Sequence, residues 1–268
     1  MVLTKTKTKA ASAKSQTIER AMHILTCFST EEPRLTLAQL AAKLDLNQNT
    51  VYRYVATLQV AGLLERDERR GGYRLGPRVI ELSNVALNQL EVRKHALEEM
   101  DRLRDGRGVL VSLAVLFEGD VLHVAHAVPA DWPRWHTTVG RRAVAHCTAL
   151  GKVLYAYRPW DQVRETIERY GWRPYTARSP RDFDQFAGEL ATIREQGYAV
   201  DSEERKLGQI CLGAPVRDHT GAVIAALSIS GRAAALGPEA RTPMVMAVCD
   251  AANRISFQLG YEDGTAYL

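Results

Sequence analysis

LTLAQLAAKLDLNQNTVYRYVATLQVAGLLERDERRGGYRLGP, residues 35–77, is the stretch that decides the fold. Thr36 has the chemistry of a helix N-cap. Leu37, Leu40, Ala41 and Leu44 follow at helical spacing and form an inner face. Asp45-Leu46-Asn47 is a short turn, and Asn47 or Asn49 caps a third helix running to about Ala61, with Val51, Val55 and Leu58 inward. Gly62 stops it in the manner of a C′ residue. Leu63–Arg66 and Tyr73–Leu75 then read as two short strands around the charged Asp67–Gly72 turn, a hairpin signature. Upstream, Thr17–Phe28 reads as another helix, with Ile18, Met22, Leu25 and Phe28 on one face, ended by Glu31-Glu32-Pro33. Three helices followed by a hairpin make a winged helix-turn-helix.

Such a unit puts its second motif helix into the major groove of DNA, N-terminal residues first. The outward positions there are Gln48, Asn49, Thr50, Tyr52 and Arg53. Side-chain amides can pair with adenine and arginine with guanine, while hydroxyls more often meet phosphate. Arg69, Arg70 and Arg74 on the wing suit the backbone or the minor groove. The charge agrees: residues 1–90 hold 13 Lys/Arg against 8 Asp/Glu, and residues 91–268 hold 22 against 23. A basic excess confined to one third of the chain points to a polyanionic partner. Residues 1–15, with four lysines and no acid, read as a disordered basic tail.

Gly76-Pro77 marks a boundary. Val79, Leu82, Val85, Ala86 and Leu90 give an amphipathic linker helix over residues 77–92, suited to pairing between subunits. From residue 93 to 262 strands and helices mix. Strands are expected at Val109–Phe117, Val121–Val128, Cys211–Val216 and Ala222–Ser230. Helices are expected at Leu150–Tyr157, Trp160–Arg169, Phe183–Gln196 and from about Pro243 to Leu259. This is an α+β domain with a mostly antiparallel sheet.

Several function classes find no support. No apolar run approaches the roughly 18 residues a membrane span needs, and no secretory signal is visible, so the cytoplasm is the expected location. The four cysteines (27, 147, 211, 249) form no Cys-x-x-Cys pair. Asp201, Glu203 and Glu204 cluster, with His123 and His146 as distant candidates, but no ligand spacing supports a metal, and such clusters at turns are usually solvated. No nucleophile elbow, phosphate loop or dinucleotide fingerprint is present, and no cofactor is expected. The one enzymatic alternative is a thiol hydrolase using Cys211, which would need a base such as His146 beside it.

The sequence resembles the IclR family of bacterial transcriptional regulators from about Ser15 to Tyr261. The strings SQTIERAMHILTCF, the helix-turn-helix segment above, HCTALGKVLYA (146–156) and REQGYAVDSEERKLGQICLGAPVRDHTGAVIAALSISG (194–231) carry the likeness. The resemblance implies a homodimer or homotetramer with a GAF-like effector domain that binds a small organic acid and acts on a pseudo-palindromic operator. It also implies a pocket. Backbone N–H groups of Ala149 and Leu150 would hold a carboxylate, Asp201 and Cys211 would line the wall, and Ser228 and Ser230 would supply hydroxyls. Trp132, Trp135 and Ala143 are placed on the wall by a looser match, and two indoles in one short loop would suit an aromatic ligand.

Overall fold

The computed structural model describes residues 15–132 and 138–262, which fall into two compact units divided between Ala86 and Leu87. The expected disordered tail lies almost wholly outside the described residues, as does Trp135.

In the first unit, helices α1 (Gln16–Thr26), α2 (Leu37–Leu44) and α3 (Gln48–Val60) precede strands β1 (Leu64–Arg66) and β2 (Tyr73–Leu75). Thr36 and Gln39 form a reciprocal capping box on α2, and Asp45 takes the left-handed conformation that closes it. The cap of α3 is Asn47, whose side chain accepts the N–H of Thr50 at 2.8 Å. Ile24, Leu40, Val51, Val55, Leu58 and Leu64 form the core. On α1 the buried residue is Ile24, with Ala21, Leu25 and Phe28 partly covered, whereas Ile18 and Met22, which share a face with Leu25 and Phe28, are exposed. Helix α4 (Pro77–Asn88) follows, with Ile80, Leu82 and Val85 exposed and no residue fully buried.

The helix expected to run through residue 92 ends at Asn88, and a separate α5 (Glu91–Arg107) begins after Leu90. The two differ in what they cover, since α5 buries Val92, Ala96, Met100 and Leu103 in the second unit's core. Strands β3 (Leu110–Phe117), β4 (Asp120–Ala127), β5 (Arg142–Val144), β6 (Ala199–Ser202), β7 (Gln209–Arg217) and β8 (Val223–Arg232) form an antiparallel sheet in the order β5-β4-β3-β8-β7-β6. The short β5 and β6 were not foreseen. Helices α6 (Ala149–Ala156), α7 (Trp160–Tyr170) and α8 (Phe183–Gln196) precede β6, and α9 (Pro238–Gln258) ends the unit. Helix α9 starts earlier than expected, at Pro238 rather than Pro243. Pro238 occupies the first helical position, where a missing N–H costs nothing, and Pro243 lies inside the helix.

Alternation sorts the sheet into two faces. Val111, Leu113, Ala125, Leu212, Leu227 and Ile229 pack with α5 and α9. Ala114, Val121 and Ala226 pack with α6, α7 and α8. Part of this second face is left open by the helices, and there the strands carry polar side chains.

Candidate functional site

In the first unit, Gln48, Asn49, Tyr52 and Arg53 are exposed on the N-terminal half of α3, and Thr50 is half-buried, with its N–H donated to the Asn47 cap. Arg69, Arg70 and Arg74 are exposed on the wing. Its tip is shaped by Asp67, whose Oδ1 accepts the N–H groups of Arg69 (3.2 Å) and Arg70 (3.1 Å). The Arg70 hydrogen bond is the main reason its carboxyl titrates below the ordinary aspartate value. Arg74 is less available than expected, since Glu65 pairs with it at 2.5 Å across the strand register. Two arginines missed in the sequence, Arg34 and Arg66, line the same concavity of about 560 Å³ with Arg69, Arg70 and Arg74. Arg34 approaches Asp67 at 3.4 Å, a long-range contact that no local pattern announces.

In the second unit a cavity of about 850 Å³ opens on the second face of the sheet. Trp132, Ala143, Ala149, Leu150, Asp201, Cys211, Ser228 and Ser230 all line it. The register explains why they meet. One row across the strands is Gly213, Ser228, Ser112 and His126, and the next is Asp201, Cys211, Ser230 and Leu110. Ser112 Oγ and His126 Nδ1 are 2.9 Å apart. Asp201 Oδ1 accepts the N–H groups of Glu204 (2.8 Å) and Arg205 (3.3 Å), which fixes the turn beside the cavity.

The N-terminus of α6 lies against Gly213, at one end of the first row. Thr148 caps it by accepting the N–H of Gly151 at 3.2 Å, and the N–H groups of Ala149 and Leu150, like those of any first helical turn, have no partner within the helix. The approach is tight at Gly213: a Cβ there would lie 3.0 Å from the Ala149 carbonyl carbon and oxygen, so the helix end would have to give by a few tenths of an ångström. Gly213→Ala should therefore push the helix end away and lower the affinity for an anionic ligand by about 1.5 to 3 kcal/mol, the worth of one charge-assisted hydrogen bond. Calorimetry with a bound acid checks this, and unchanged affinity would show that helix and row do not act together.

The electrostatics favour an anion. Arg107, Arg141, Arg205, Lys206 and Arg232 line the cavity against Asp131 and Asp201. Burial raises the Asp201 carboxyl above its ordinary value, while the N–H groups of Glu204 and Arg205 pull it the other way. Ser112, His123, His126 and Arg141 were missed as pocket residues. Ser112 did carry a signal, as the lone hydroxyl in the apolar run of β3.

The acidic cluster differs from expectation. Asp201 and Glu204 are buried rather than solvated. Glu204 grips Lys152 of α6 with both oxygens (2.7 and 2.9 Å), and the fully buried Lys152 ammonium also meets Glu189 and the Val200 carbonyl. Burial opposes its charge, yet Glu189 and Glu204 outweigh that and hold its pKa above the ordinary lysine value. His146 bonds through Nε2 to the Arg173 carbonyl (3.0 Å) and stacks on Trp172. Cys211 instead meets Ser230 Oγ at 3.1 Å and Gln209 Nε2 at 3.6 Å, and burial pushes its thiol far up, away from the thiolate. A nucleophile needs the opposite.

Comparison with known proteins finds relatives for both units. Residues 84–257 match the family described as bacterial transcriptional regulator IclR C-terminal, and residues 17–68 match the IclR helix-turn-helix domain. The glycerol operon regulatory protein of Streptomyces coelicolor is 35% identical over 247 residues, covering 91% of this chain and 96% of that protein. Among solved structures, the IclR transcriptional regulator from Alicyclobacillus acidocaldarius superposes with a TM-score of 0.80 at 26% identity, over 92% of this chain and 100% of that one. An IclR homolog from Microbacterium hydrocarbonoxydans complexed with 4-hydroxybenzoate gives 0.78 at 25% identity, over 91% and 98%. Among the described residues no helix is long and apolar enough to cross a membrane.

Proposed function

Because the chain belongs to the IclR family of bacterial transcriptional regulators, and is a DNA-binding regulator rather than an enzyme, we propose that it controls a catabolic operon in response to a small carboxylic acid bound in the second unit. The observation that carries this reading is the cavity itself: a helix N-terminus and the hydroxyls of Ser112, Ser228 and Ser230 share one lining, which is richer in cations than in acids. Helix N-termini favour anions through their unpaired N–H groups and dipole. An aromatic acid is the preferred ligand, because Trp132 lines the cavity and a structural neighbour holds 4-hydroxybenzoate. Its carboxylate would meet the N–H groups of Ala149 and Leu150 and the hydroxyls of Ser228 and Ser230, with Asp201, Cys211 and Ala143 closing the wall.

The DNA face would be Gln48, Asn49, Thr50, Tyr52 and Arg53 in the major groove, with Arg69, Arg70 and Arg74 along the wing. The exposed Ile18 and Met22 on α1, and Ile80, Leu82 and Val85 on α4, are apolar surface that a second copy of the chain would cover. A two-fold dimer asks for a pseudo-palindromic operator with half-sites spaced by roughly 10 base pairs or a multiple. Regulation of this kind takes place where the chromosome is, in the cytoplasm.

A titration of operator DNA with and without candidate acids tests the reading. An operator affinity that no acid changes would refute effector control. Arg53→Ala should weaken operator binding by about 1 to 3 kcal/mol while leaving random DNA little affected, if Arg53 reads a base. Equal losses on both would reduce Arg53 to a phosphate contact.

A further inference from the structure

Five arginines, Arg34, Arg66, Arg69, Arg70 and Arg74, line the concavity of the wing against Asp67 and Glu68. Arg34 comes from the segment before α2 and Arg66 from the end of β1, and the backbone brings them together. Leu35 donates its N–H to the Tyr73 carbonyl (3.0 Å) and accepts the Tyr73 N–H (2.8 Å), so this segment pairs with β2. Gly72 permits the approach: at φ +85° a Cβ there would lie 2.9 Å from the Leu35 carbonyl oxygen. On its other side Tyr73 is opposite Arg66. Arg34 and Arg66 are therefore fixed at the root of the wing, with Arg69 and Arg70 at its tip.

Only part of this positive charge is answered. Arg74 is paired with Glu65. Among the described residues no acid pairs with Arg66, Arg69 or Arg70. Asp67 has two separate tasks. Its Oδ1 accepts the N–H groups of Arg69 and Arg70 and shapes the tip. Its Oδ2 faces Arg34 Nη1 at 3.4 Å, longer than the roughly 2.7 to 2.9 Å of a charge-assisted hydrogen bond. The carboxyl is held below the ordinary aspartate value, first by the Arg70 N–H and in part by Arg34, so it stays charged. A loose pair of this kind is readily exchanged for a better anion, and a phosphate matches the planar guanidinium fork with two oxygens.

We infer that the root of the wing is a seat for the DNA phosphate backbone, with Arg34 and Arg66 as its contacts, and that the Asp67 carboxylate is a built-in competitor which a phosphate displaces from Arg34. This rests on the reading that the wing lies along DNA, and adds to it two residues and an intramolecular anion that limits affinity. DNA is the occupant because the unit is a helix-turn-helix and because the arginines extend from root to tip, as a run of phosphates requires and one small anion does not. Phosphate contacts hold all sequences alike. An acid that withholds one arginine therefore lowers retention on random DNA as well as on the operator.

Fluorescence anisotropy of the full-length protein on operator and random duplexes, over a salt series, tests this. The logarithm of affinity falls linearly with the logarithm of salt concentration. Arg34→Gln and Arg66→Gln should each make that slope shallower by about 1 and weaken both duplexes by the same factor. A misfolded fraction lowers affinity equally at every salt concentration, so the slope still reports on a destabilised variant. Asp67→Asn keeps an oxygen for the Arg69 and Arg70 N–H groups and removes the charge. It should bind both duplexes about two- to fivefold tighter at low salt, the strength of one exposed ion pair, and the gain should disappear in the Arg34→Gln background. Unchanged slopes in the two arginine variants overturn the seat, and the wing reading then stands if Arg69→Gln with Arg70→Gln still weakens binding. If that variant is also without effect, the wing reading falls and the inference with it. No gain from Asp67→Asn, or the same gain without Arg34, overturns the competitor. Calorimetry with inorganic phosphate alone should show no binding below millimolar concentrations, and tight binding that Arg34→Gln removes would make this a small-anion pocket and overturn the DNA seat.

Discussion

Replacing Lys152 by alanine is expected to cost about 3 to 5 kcal/mol of stability, because one partner of a buried ion pair would be removed and the other left in place. The ammonium is fully buried and bonded to Glu204, Glu189 and the Val200 carbonyl. Without it, the Glu204 carboxylate keeps its desolvation and loses its compensation. The damage should reach the ligand site, since the turn carrying Glu204 also carries Asp201, and α6 carries both Lys152 and the N–H groups proposed to hold the carboxylate. Denaturant unfolding followed by circular dichroism gives the number. Lys152→Met with Glu204→Leu should recover much of the loss, as apolar replacements of whole buried pairs often do. A single-variant loss below about 1 kcal/mol would mean that water reaches the network and that its charges are not truly sequestered.

The second large effect belongs to the serines. Ser228→Ala with Ser230→Ala should abolish the response of operator affinity to an acid while binding without effector persists. Two charge-assisted hydrogen bonds at about 1.5 to 3 kcal/mol each are enough to remove measurable affinity for a small ligand. Ser228 pairs with Ser112 and Gly213 across the sheet, and Ser230 with Leu110 and Cys211, so both alanines would sit in strands whose backbone ladders stay intact. Calorimetry and gel shifts on the same protein separate the two functions. Equal affinity of the wild type and the double variant for every responsive acid would refute the pocket assignment. A ligand can shift DNA binding only as far as it distinguishes the competent from the incompetent state, so lost affinity and lost response must go together.

The helix-turn-helix was readable because its information is local. Caps, helical spacing and a Gly-Gly turn lie within 43 residues, and Thr36, Asn47 and Gly62 each perform a task their own chemistry dictates. Ile18 and Met22 are exposed although they share an apolar face with Leu25 and Phe28, because periodicity says that a face is apolar and not what covers it. Helix α5 escaped notice because its stripe Val92, Ala96, Met100 and Leu103 is set among charges, including Glu99, which is itself buried and paired with Arg102 and Arg254. The wall residues Asp201, Cys211, Ser228 and Ser230 came through resemblance, and alternation alone placed only the two serines together. His123 and Lys152 could not have been found. One depends on an inserted residue that reverses strand parity, and the other on carboxylates 37 and 52 positions away.

The extra residue at Val124, where pairing passes from Leu113 opposite Ala125 to Ala114 opposite His123, also bears on how this strand tolerates change over evolutionary time. The bulge absorbs one residue without changing which side chains face the cavity on either side of it. Removal of Val124 would leave His123 and His126 two positions apart, the spacing at which a regular strand puts both on one face. Relatives with a β4 one residue shorter should therefore keep the same cavity-facing positions, and an alignment with a gap there should still match His123 and His126 residue for residue.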